Sequence, residues 1–204
     1  MFPALPFHAR FFAAVIAVTA LASVVARYIY DQSLGDEPPL ETIWSLARFF
    51  TLLTNTLVAV TFAFIAFRRD GVSPPWIAAL TLSIMLVGAV YHTLLAGLVT
   101  FTGLGVWADQ GLHTAVPIAC FLWWVFCAPK RTLQFRDLPM FIVWPCVYVA
   151  YALARGAQDG VYPYPFMSLA TRDAATVATN LFGLVLVLLI GGVIFVLIGR
   201  FADR

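Results

Sequence analysis

Two residues in apolar surroundings carry the chemical groups that acyl transfer needs. Thr51 lies in the stretch RFFTLLTNTLVA (48–59), and His113 lies in GLHTAVP (111–117). In acyl transfer an imidazole removes the proton of a hydroxyl group, and the hydroxyl oxygen then attacks a carbonyl carbon. Because Thr51 and His113 lie far apart in the sequence, the fold must bring them together for this chemistry to occur.

Further polar residues occur in similarly apolar stretches. Arg48, Thr51 and Asn55 are spaced i, i+3 and i+7, which predicts that they share one stripe of a helix. Ionisable groups within a membrane span are costly unless they are paired or face a cavity. We therefore predict a polar cavity in the outer half of the membrane, whose substrate-binding or oxyanion-stabilising residues are Arg48, Asn55, His92, Arg155 and Asn180.

The segment around His113 predicts a distorted helix. Pro117 follows His113 by four residues, so its ring presses on the His113 carbonyl and removes one helical hydrogen bond. Asp109 precedes His113 by four residues, and two roles are open for its carboxylate. It can accept a hydrogen bond from the second ring nitrogen of His113 and so orient the imidazole, or it can cap the start of the helix.

Six apolar runs are each long enough to cross a bilayer, since a span needs about 20 residues of helix. The chain has 204 residues, of which 62% are hydrophobic and 11% charged. We predict an all-α polytopic membrane protein, a single bundle of six transmembrane helices over 1–204. The predicted spans are 10–30, 44–67, 76–100, 108–128, 138–156 and 175–199.

The basic residues predict the orientation of the bundle, because Lys and Arg concentrate in cytoplasmic loops. Four arginines fall on one side of the predicted spans: Arg27, Arg48, Arg155 and Arg172. Eight basic residues fall on the other: Arg10, Arg68, Arg69, Lys130, Arg131, Arg136, Arg200 and Arg204. We therefore expect both termini in the cytoplasm. A signal peptide in place of the first span is the alternative for the N-terminal run.

Several classes of function receive no support from the composition. A net charge of +2 is too small and too spread out for a nucleic-acid surface. Cys120, Cys127 and Cys146 lie inside predicted spans, where they are expected to be small buried hydrophobic residues rather than a disulfide framework. The sequence contains no CxxC, HExxH or glycine-rich phosphate loop. We expect no metal, no cofactor and no nucleic-acid partner.

Three segments carry a resemblance to a known family. They are RFFTLLTN, GLHTAVP, and YALARG followed by DGVYPYPF. In order and spacing they resemble the bacterial six-span relatives of the androgen-induced and androgen-dependent family of intramembrane threonine hydrolases, over about 10–199. The resemblance implies a threonine nucleophile at Thr51 and a histidine base at His113.

The resemblance also implies a substrate and a location. The family's substrates are fatty acid esters of hydroxy fatty acids, so membrane lipids and a lipid ester are the expected partners, in a bacterial inner membrane. In the family's threonine segment an asparagine follows three residues on, whereas Asn55 follows Thr51 by four, so Thr54 is the alternative nucleophile. The rigid YPYPF segment (162–166) is interpreted as a lid over the site or as an interfacial anchor.

Two other functions remain open at this point. In a lipid-binding or transport protein, Arg48 and Arg155 would hold an anionic head group without turning over an ester. In a haem or metal protein, His92 and His113 would be ligands on facing helices. The sequence leaves the oligomeric state open.

Overall fold

The computed structural model of the chain describes residues 5–68 and 73–201. Over these residues the protein is all-α, and six of its helical segments are long and apolar enough to cross a membrane. The predicted all-α, six-span fold is confirmed, and the protein is an integral multi-pass membrane protein by this criterion. The predicted orientation of the termini stays a prediction, and Arg69 and Arg204, on which it partly rests, lie outside the described residues.

The described residues form eight α-helices, of which all except Pro39–Leu46 belong to the six segments, together with short π and 3₁₀ turns. In the described part of the chain they are α1 (Phe7–Gln32), α2 (Pro39–Leu46), α3 (Phe50–Phe67), α4 (Pro74–Val90), a π turn (Tyr91–Leu95), α5 (Leu104–Gln110), a π turn (Gly111–Ala115), α6 (Val116–Cys127), a 3₁₀ turn (Phe135–Asp137), α7 (Met140–Asp159), a 3₁₀ turn (Pro165–Met167) and α8 (Ala174–Phe201).

The chain divides into two compact units, Met1–Pro129 and Lys130–Arg204. The first unit holds α1 to α6, and the second holds α7 and α8. Each unit is described here by itself, so the single domain predicted over 1–204 stays a prediction.

The second span begins later than predicted. Its helix starts at Phe50 rather than near residue 44, and residues 39–46 form the separate helix α2. Between the two helices, the N–H groups of Arg48 and Phe49 donate to the carbonyls of Ser45 and Leu46 at 3.1 Å, which is the bonding of a tight turn. Arg48 therefore lies in a turn before the helix, and its predicted place on the Thr51 and Asn55 stripe is wrong. No proline or glycine marks this break in the sequence.

The third span ends earlier than predicted, at Leu95 rather than near residue 100. Ala96 is already extended, with ψ at 129°, and Gly97 has a φ of +86°. A positive φ is accessible to glycine at little cost and strained for other residues. Gly97 thus ends the helix in the way that glycine commonly does.

Small side chains let α1 pack closely in the first unit. Ala9, Ala13 and Ala20 of α1 are fully buried, and α1 packs chiefly against α3 and α5. Two hydrogen bonds hold its N-terminal part. Trp123 Nε1 donates to the carbonyl of Ala9 at 2.8 Å, and the Arg10 guanidinium donates through Nη2 to the carbonyl of Ala66 at 2.8 Å, near the end of α3.

The second unit is held by α7 against α8. A Cβ added at Gly192 would lie 3.1 Å from ring carbon Cγ of Phe141, so glycine allows the close crossing. Asp173 begins α8, where Oδ1 accepts from the Thr176 N–H at 2.9 Å and Oδ2 accepts from the Thr176 hydroxyl at 2.7 Å. These hydrogen bonds from Thr176 lower the pKa of Asp173 below its ordinary value of 3.8.

Candidate functional site

The imidazole of His113 lies against Asp109. His113 Nδ1 hydrogen-bonds the backbone carbonyl oxygen of Asp109 at 3.1 Å, and it lies 2.9 Å from carboxylate Oδ1, at an ion-pair distance but without hydrogen-bond geometry. Both oxygens are acceptors, so Nδ1 carries the proton, and in a neutral ring Nε2 is the basic nitrogen. Asp109 lies inside α5, whose N-cap is Gly103. Of the two roles open for Asp109, the structure therefore favours the contact with His113 over helix capping.

Tyr91 contacts the same pair from the π turn that follows α4. Its hydroxyl donates to Asp109 Oδ2 at 2.5 Å, so the two carboxylate oxygens contact two different partners. The Tyr91 ring also stacks on the His113 ring, with centroids 3.8 Å apart and planes 11° from parallel. Tyr91 thus restricts both the carboxylate and the plane of the imidazole.

Local distortion of both helices places these groups. His113 lies in the π turn Gly111–Ala115, which ends two residues before Pro117, and His92 lies in the π turn Tyr91–Leu95. A π turn widens the helix and is frequent at functional sites. For the fourth span the cause is visible in the sequence, because Pro117 cannot donate to the His113 carbonyl and its ring pushes that carbonyl away. The predicted distortion at Pro117, and a helix that starts well before it, are confirmed.

Close contact between α4 and this π turn depends on Gly88. A Cβ added at Gly88 would lie 2.9 Å from the His113 carbonyl oxygen and 3.3 Å from Pro117 Cβ. The His113 carbonyl oxygen receives no hydrogen bond from Pro117, and it packs against the backbone of Gly88. Such close approach between helices occurs where one of them lacks a side chain.

Asn55 connects the Thr51 turn to the His113 turn. Asn55 is fully buried, and its Nδ2 donates to the carbonyl of Thr51 at 2.9 Å and to the carbonyl of Leu112 at 3.3 Å. Leu112 directly precedes His113, so the first turn of α3 lies beside the His113 turn. Thr51 and Thr54 are both buried. Among the hydrogen bonds of the described residues, none joins His113 to a threonine hydroxyl.

The predicted role of Asn55 in substrate binding or oxyanion stabilisation stays a prediction. Both of its N–H bonds are directed at backbone carbonyls, whereas an oxyanion needs a donor whose hydrogen is available to it. Within the described part of the chain, Oδ1 is buried and makes no hydrogen bond. What Asn55 can offer to a reacting group is therefore an acceptor.

His92 and His113 line one cavity of about 290 Å³ in the first unit. His92 Nε2 lies 3.0 Å from the hydroxyl of Thr114, and that hydroxyl lies 3.2 Å from Gln110 Oε1. The lining of this cavity is mostly apolar, and of the predicted binding residues it contains His92. The predicted polar cavity with Arg48, Asn55, Arg155 and Asn180 stays a prediction. Among the described residues, no group of three or more His, Cys, Asp or Glu side chains is placed to hold a metal ion.

Arg155 and Asn180 belong to the second unit. Arg155 is buried, its Nη1 donates to the Tyr151 hydroxyl at 2.9 Å, and its Nε lies 3.9 Å from Asp159 Oδ2. Asn180 Nδ2 donates to the carbonyl of Phe166 at 2.8 Å. Their predicted part in a site with Thr51 and His113 stays a prediction.

The YPYPF segment is fastened within the second unit. Asn180 holds Phe166, and Arg172 Nε donates to the carbonyl of Pro165 at 2.8 Å. The rings of Tyr164 and Phe166 are stacked, with centroids 5.3 Å apart. Whether this segment acts as a lid or as an anchor stays a prediction.

Two residues that contact the candidate site residues were not predicted from the sequence, Tyr91 and Thr114. Tyr91 sits directly before His92 in the sequence, and a tyrosine near the end of a span is expected to be an interfacial residue. Thr114 follows His113 and is expected to bond its own helix backbone. Tyr91 contacts Asp109 and Thr114 contacts His92, and in both cases the partner lies on another segment of the chain. A contact of this kind cannot be predicted from the local sequence.

Comparisons of the chain with protein-family models, with curated proteins and with solved structures find no match. The resemblance to the androgen-induced and androgen-dependent family therefore stays a prediction. What is established is a six-span helical membrane protein in which half-buried Tyr91 contacts buried Asp109 and His113 beside a cavity.

Proposed function

We propose that the protein is an intramembrane hydrolase of lipid esters, with Thr51 as nucleophile and His113 as general base. The observation that supports this most is that Asp109 holds His113 Nδ1 through its backbone carbonyl oxygen at 3.1 Å, while its carboxylate Oδ1 lies 2.9 Å from the same nitrogen. An acceptor that holds one ring nitrogen fixes the tautomer and leaves the other nitrogen as the base, and a nearby carboxylate stabilises the imidazolium, as in serine hydrolases. Burial of the pair within the membrane adds to this support, since such pairs are rare there without a function.

The reaction would proceed in two halves. Nε2 of His113 takes the proton of the Thr51 hydroxyl while Oγ1 bonds to the ester carbonyl carbon, and the imidazolium then gives that proton to the departing alkoxide. A water molecule repeats the sequence on the acyl-threonine, and the products are an alcohol and a carboxylic acid. Asp109 stabilises the imidazolium that forms in each half.

The approach of Thr51 to His113 is the step that this proposal requires. Asn55 already keeps the two turns adjacent through the carbonyls of Thr51 and Leu112. Hydrogen bonds between catalytic groups are often long or absent before substrate binds, and they tighten in the complex. The π turn around His113 is where the small adjustment would occur, because its backbone bonding is already irregular.

The substrate class and the location are part of the same proposal. An ester whose tails stay in the bilayer suits a site carried by spans, and fatty acid esters of hydroxy fatty acids are the class implied by the family resemblance. Arg48 and His92 would bind the polar part of such an ester. A bacterial inner membrane, with both termini in the cytoplasm, completes the proposal.

Labelling with a fluorophosphonate probe tests the nucleophile. We would compare purified wild type with Thr51→Ala, Thr54→Ala and His113→Ala in detergent, after checking that each variant elutes as a folded species. Loss of labelling in the Thr51 and His113 variants, with labelling kept in Thr54→Ala, is the expected result. Loss in Thr54→Ala alone would move the nucleophile by one turn of α3. Folded wild type that takes no label would refute the proposal.

Lipid binding without turnover is a second candidate, and one observation favours it. No threonine hydroxyl is bonded to His113 among the described residues, so an activated nucleophile is not preformed. In that case Thr51→Ala would bind lipid as wild type does, and neither protein would release product from an ester.

A further inference from the structure

The cavity beside His113 is a groove between α4 and the α5–α6 span, and its two ends differ in polarity. One end carries His92, Thr93, His113 and Thr114. The other end carries Met85 and Phe121, with no charged side chain in the lining. The two helical segments run antiparallel, because the contact between His92 and Thr114 and the contact between Gly88 and Pro117 follow each other in opposite chain directions.

The length of the groove follows from the helices. Met85 precedes His92 by seven residues, and Phe121 follows Thr114 by seven residues. At 1.5 Å per residue each wall extends about 10 Å between its polar and apolar ends. This is about a third of the hydrocarbon thickness of a bilayer. With a volume of about 290 Å³, the groove is suited to one hydrocarbon chain and is too small for a lipid with two chains.

Small groups on facing elements create this space. Gly88 and Ala89 of α4 are part of the lining, opposite Pro117. Because Gly88 packs on the backbone of the His113 turn, the floor of the groove is backbone and proline ring, a smooth apolar surface. Such a surface suits methylene groups, which bind by area and shape rather than by hydrogen bonds.

The polar end offers one hydrogen-bonding atom that the protein does not use. His92 Nε2 contacts the Thr114 hydroxyl, and Thr93 donates its hydroxyl to the carbonyl of Ala89 at 2.7 Å. Among the described residues, His92 Nδ1 makes no hydrogen bond. Neutral imidazole can accept there from a hydroxyl, and imidazolium can donate there to a carboxylate or ester oxygen.

We propose that this groove binds one fatty acyl chain, with its oxygen-bearing head at His92 and its methylenes over Gly88 and Pro117. Met85 and Phe121 bound the far end and therefore set the preferred chain length. The chain is the acyl arm of a substrate or a free fatty acid, which share this chemistry. The role of the groove as a substrate site rests on the proposed function. Binding of an acyl chain in the groove does not depend on hydrolysis.

Photocrosslinking in a variant that cannot turn over ester tests the groove. Purified Thr51→Ala protein in nanodiscs is irradiated with a fatty acid that carries a diazirine on its chain, and labelled peptides are identified by mass spectrometry. We expect label on peptides that contain residues 85–93 and 114–121, and competition by unlabelled fatty acids. Label confined to other peptides, or label that no fatty acid displaces, would overturn the proposal.

Chain-length preference provides the sharper test. Saturated fatty acids from octanoic to stearic acid compete with the probe, and their half-maximal concentrations are compared. Phe121→Ala is expected to shift the best competitor to longer chains, and Phe121→Trp to shorter ones. His92→Phe is expected to weaken all competitors by about tenfold, as loss of a hydrogen bond to a charged head does.

An exposed phenylalanine of α8, Phe182, provides the matched control, and Phe182→Ala and Phe182→Trp are expected to leave the preference unchanged. Equal shifts in the Phe121 and Phe182 variants would overturn the assignment. Because Thr51→Ala cannot turn over an ester, these assays measure binding in the groove independently of hydrolase activity. Groove labelling with no ester turnover by wild type would reject the hydrolase and keep the groove. Ester turnover by wild type without groove labelling would keep the hydrolase and reject the groove.

Discussion

Replacing Gly88 with alanine tests whether the position of the His113 turn controls the reaction. The added Cβ would lie 2.9 Å from the His113 carbonyl oxygen. Carbon–oxygen contacts between packed helices are comfortable at about 3.3–3.6 Å, so the two elements must separate by about half an ångström. A backbone carbonyl cannot rotate away as the end of a side chain can, and the shift passes to the imidazole that the same turn carries.

The effect on activity is expected to exceed the effect on stability. Overpacking of this kind costs about 1–3 kcal/mol, and alanine in place of a helical glycine returns about 0.5–1 kcal/mol. A misplacement of about 1 Å can lower a catalysed rate by about 10²-fold. For Gly88→Ala we therefore expect a folded protein whose rate of fluorophosphonate labelling falls by about ten- to a hundredfold.

The assay compares labelling rates at several probe concentrations with thermal unfolding of the same preparations. Gly183 of α8 provides the control, because an added Cβ there meets no atom within 4 Å among the described residues. Gly183→Ala should label at the wild-type rate. If Gly88→Ala labels as fast as wild type while remaining folded, the close contact does not position the catalytic turn, and the reasoning from Gly88 to His113 is refuted.

Three further predictions concern hydrogen-bonded carboxylates. Asp109→Asn should lower the labelling rate by about 10²–10⁴-fold, because a carboxamide can hold His113 in the wrong tautomer; near-normal labelling would remove Asp109 from the mechanism. Tyr91→Phe keeps the ring stack but loses the donor to Asp109 and should slow labelling about tenfold, whereas Tyr91→Leu should slow it further. Asp173 has its pKa lowered by the hydrogen bonds from Thr176, so its stabilisation of the start of α8 is present above its ordinary pKa and lost as pH falls through the lowered one. Asp173→Asn should abolish this acid dependence in hydrogen exchange at the Thr176 amide, and an unchanged profile would contradict the assignment.

The six spans were predictable because their signal is local and strong. Lipid requires each span to be a continuous apolar helix with internal hydrogen bonds, and this requirement is visible in any stretch of about twenty residues. The distortion before Pro117 was predictable for a similar reason, since proline acts on the carbonyl four residues earlier in its own helix. The contact between Asp109 and His113 also stays within one turn of helix, so its spacing suggested it.

Contacts between segments were beyond sequence reasoning. Tyr91 reaches Asp109 across 18 positions of sequence, and Asn55 reaches Leu112 across 57. The break at residues 47–49 was missed because no glycine or proline marks it. The hydrogen bonds of Asn55 were also not predictable, since its Nδ2 donates to the carbonyl of Thr51 in its own helix and to the carbonyl of Leu112 in another span.

By itself the sequence determined that the chain forms six apolar helices long enough to span a membrane, which residues could do chemistry, and that Pro117 disturbs the helix of His113. The tertiary structure alone decided that Tyr91 holds Asp109, that Gly88 packs against the His113 turn, and that a groove runs beside His92. Each span must be apolar because it lies in lipid, so its position can be predicted from the residues of that segment alone. A site depends on which faces of different helices meet, and that is decided by packing among side chains far apart in the chain.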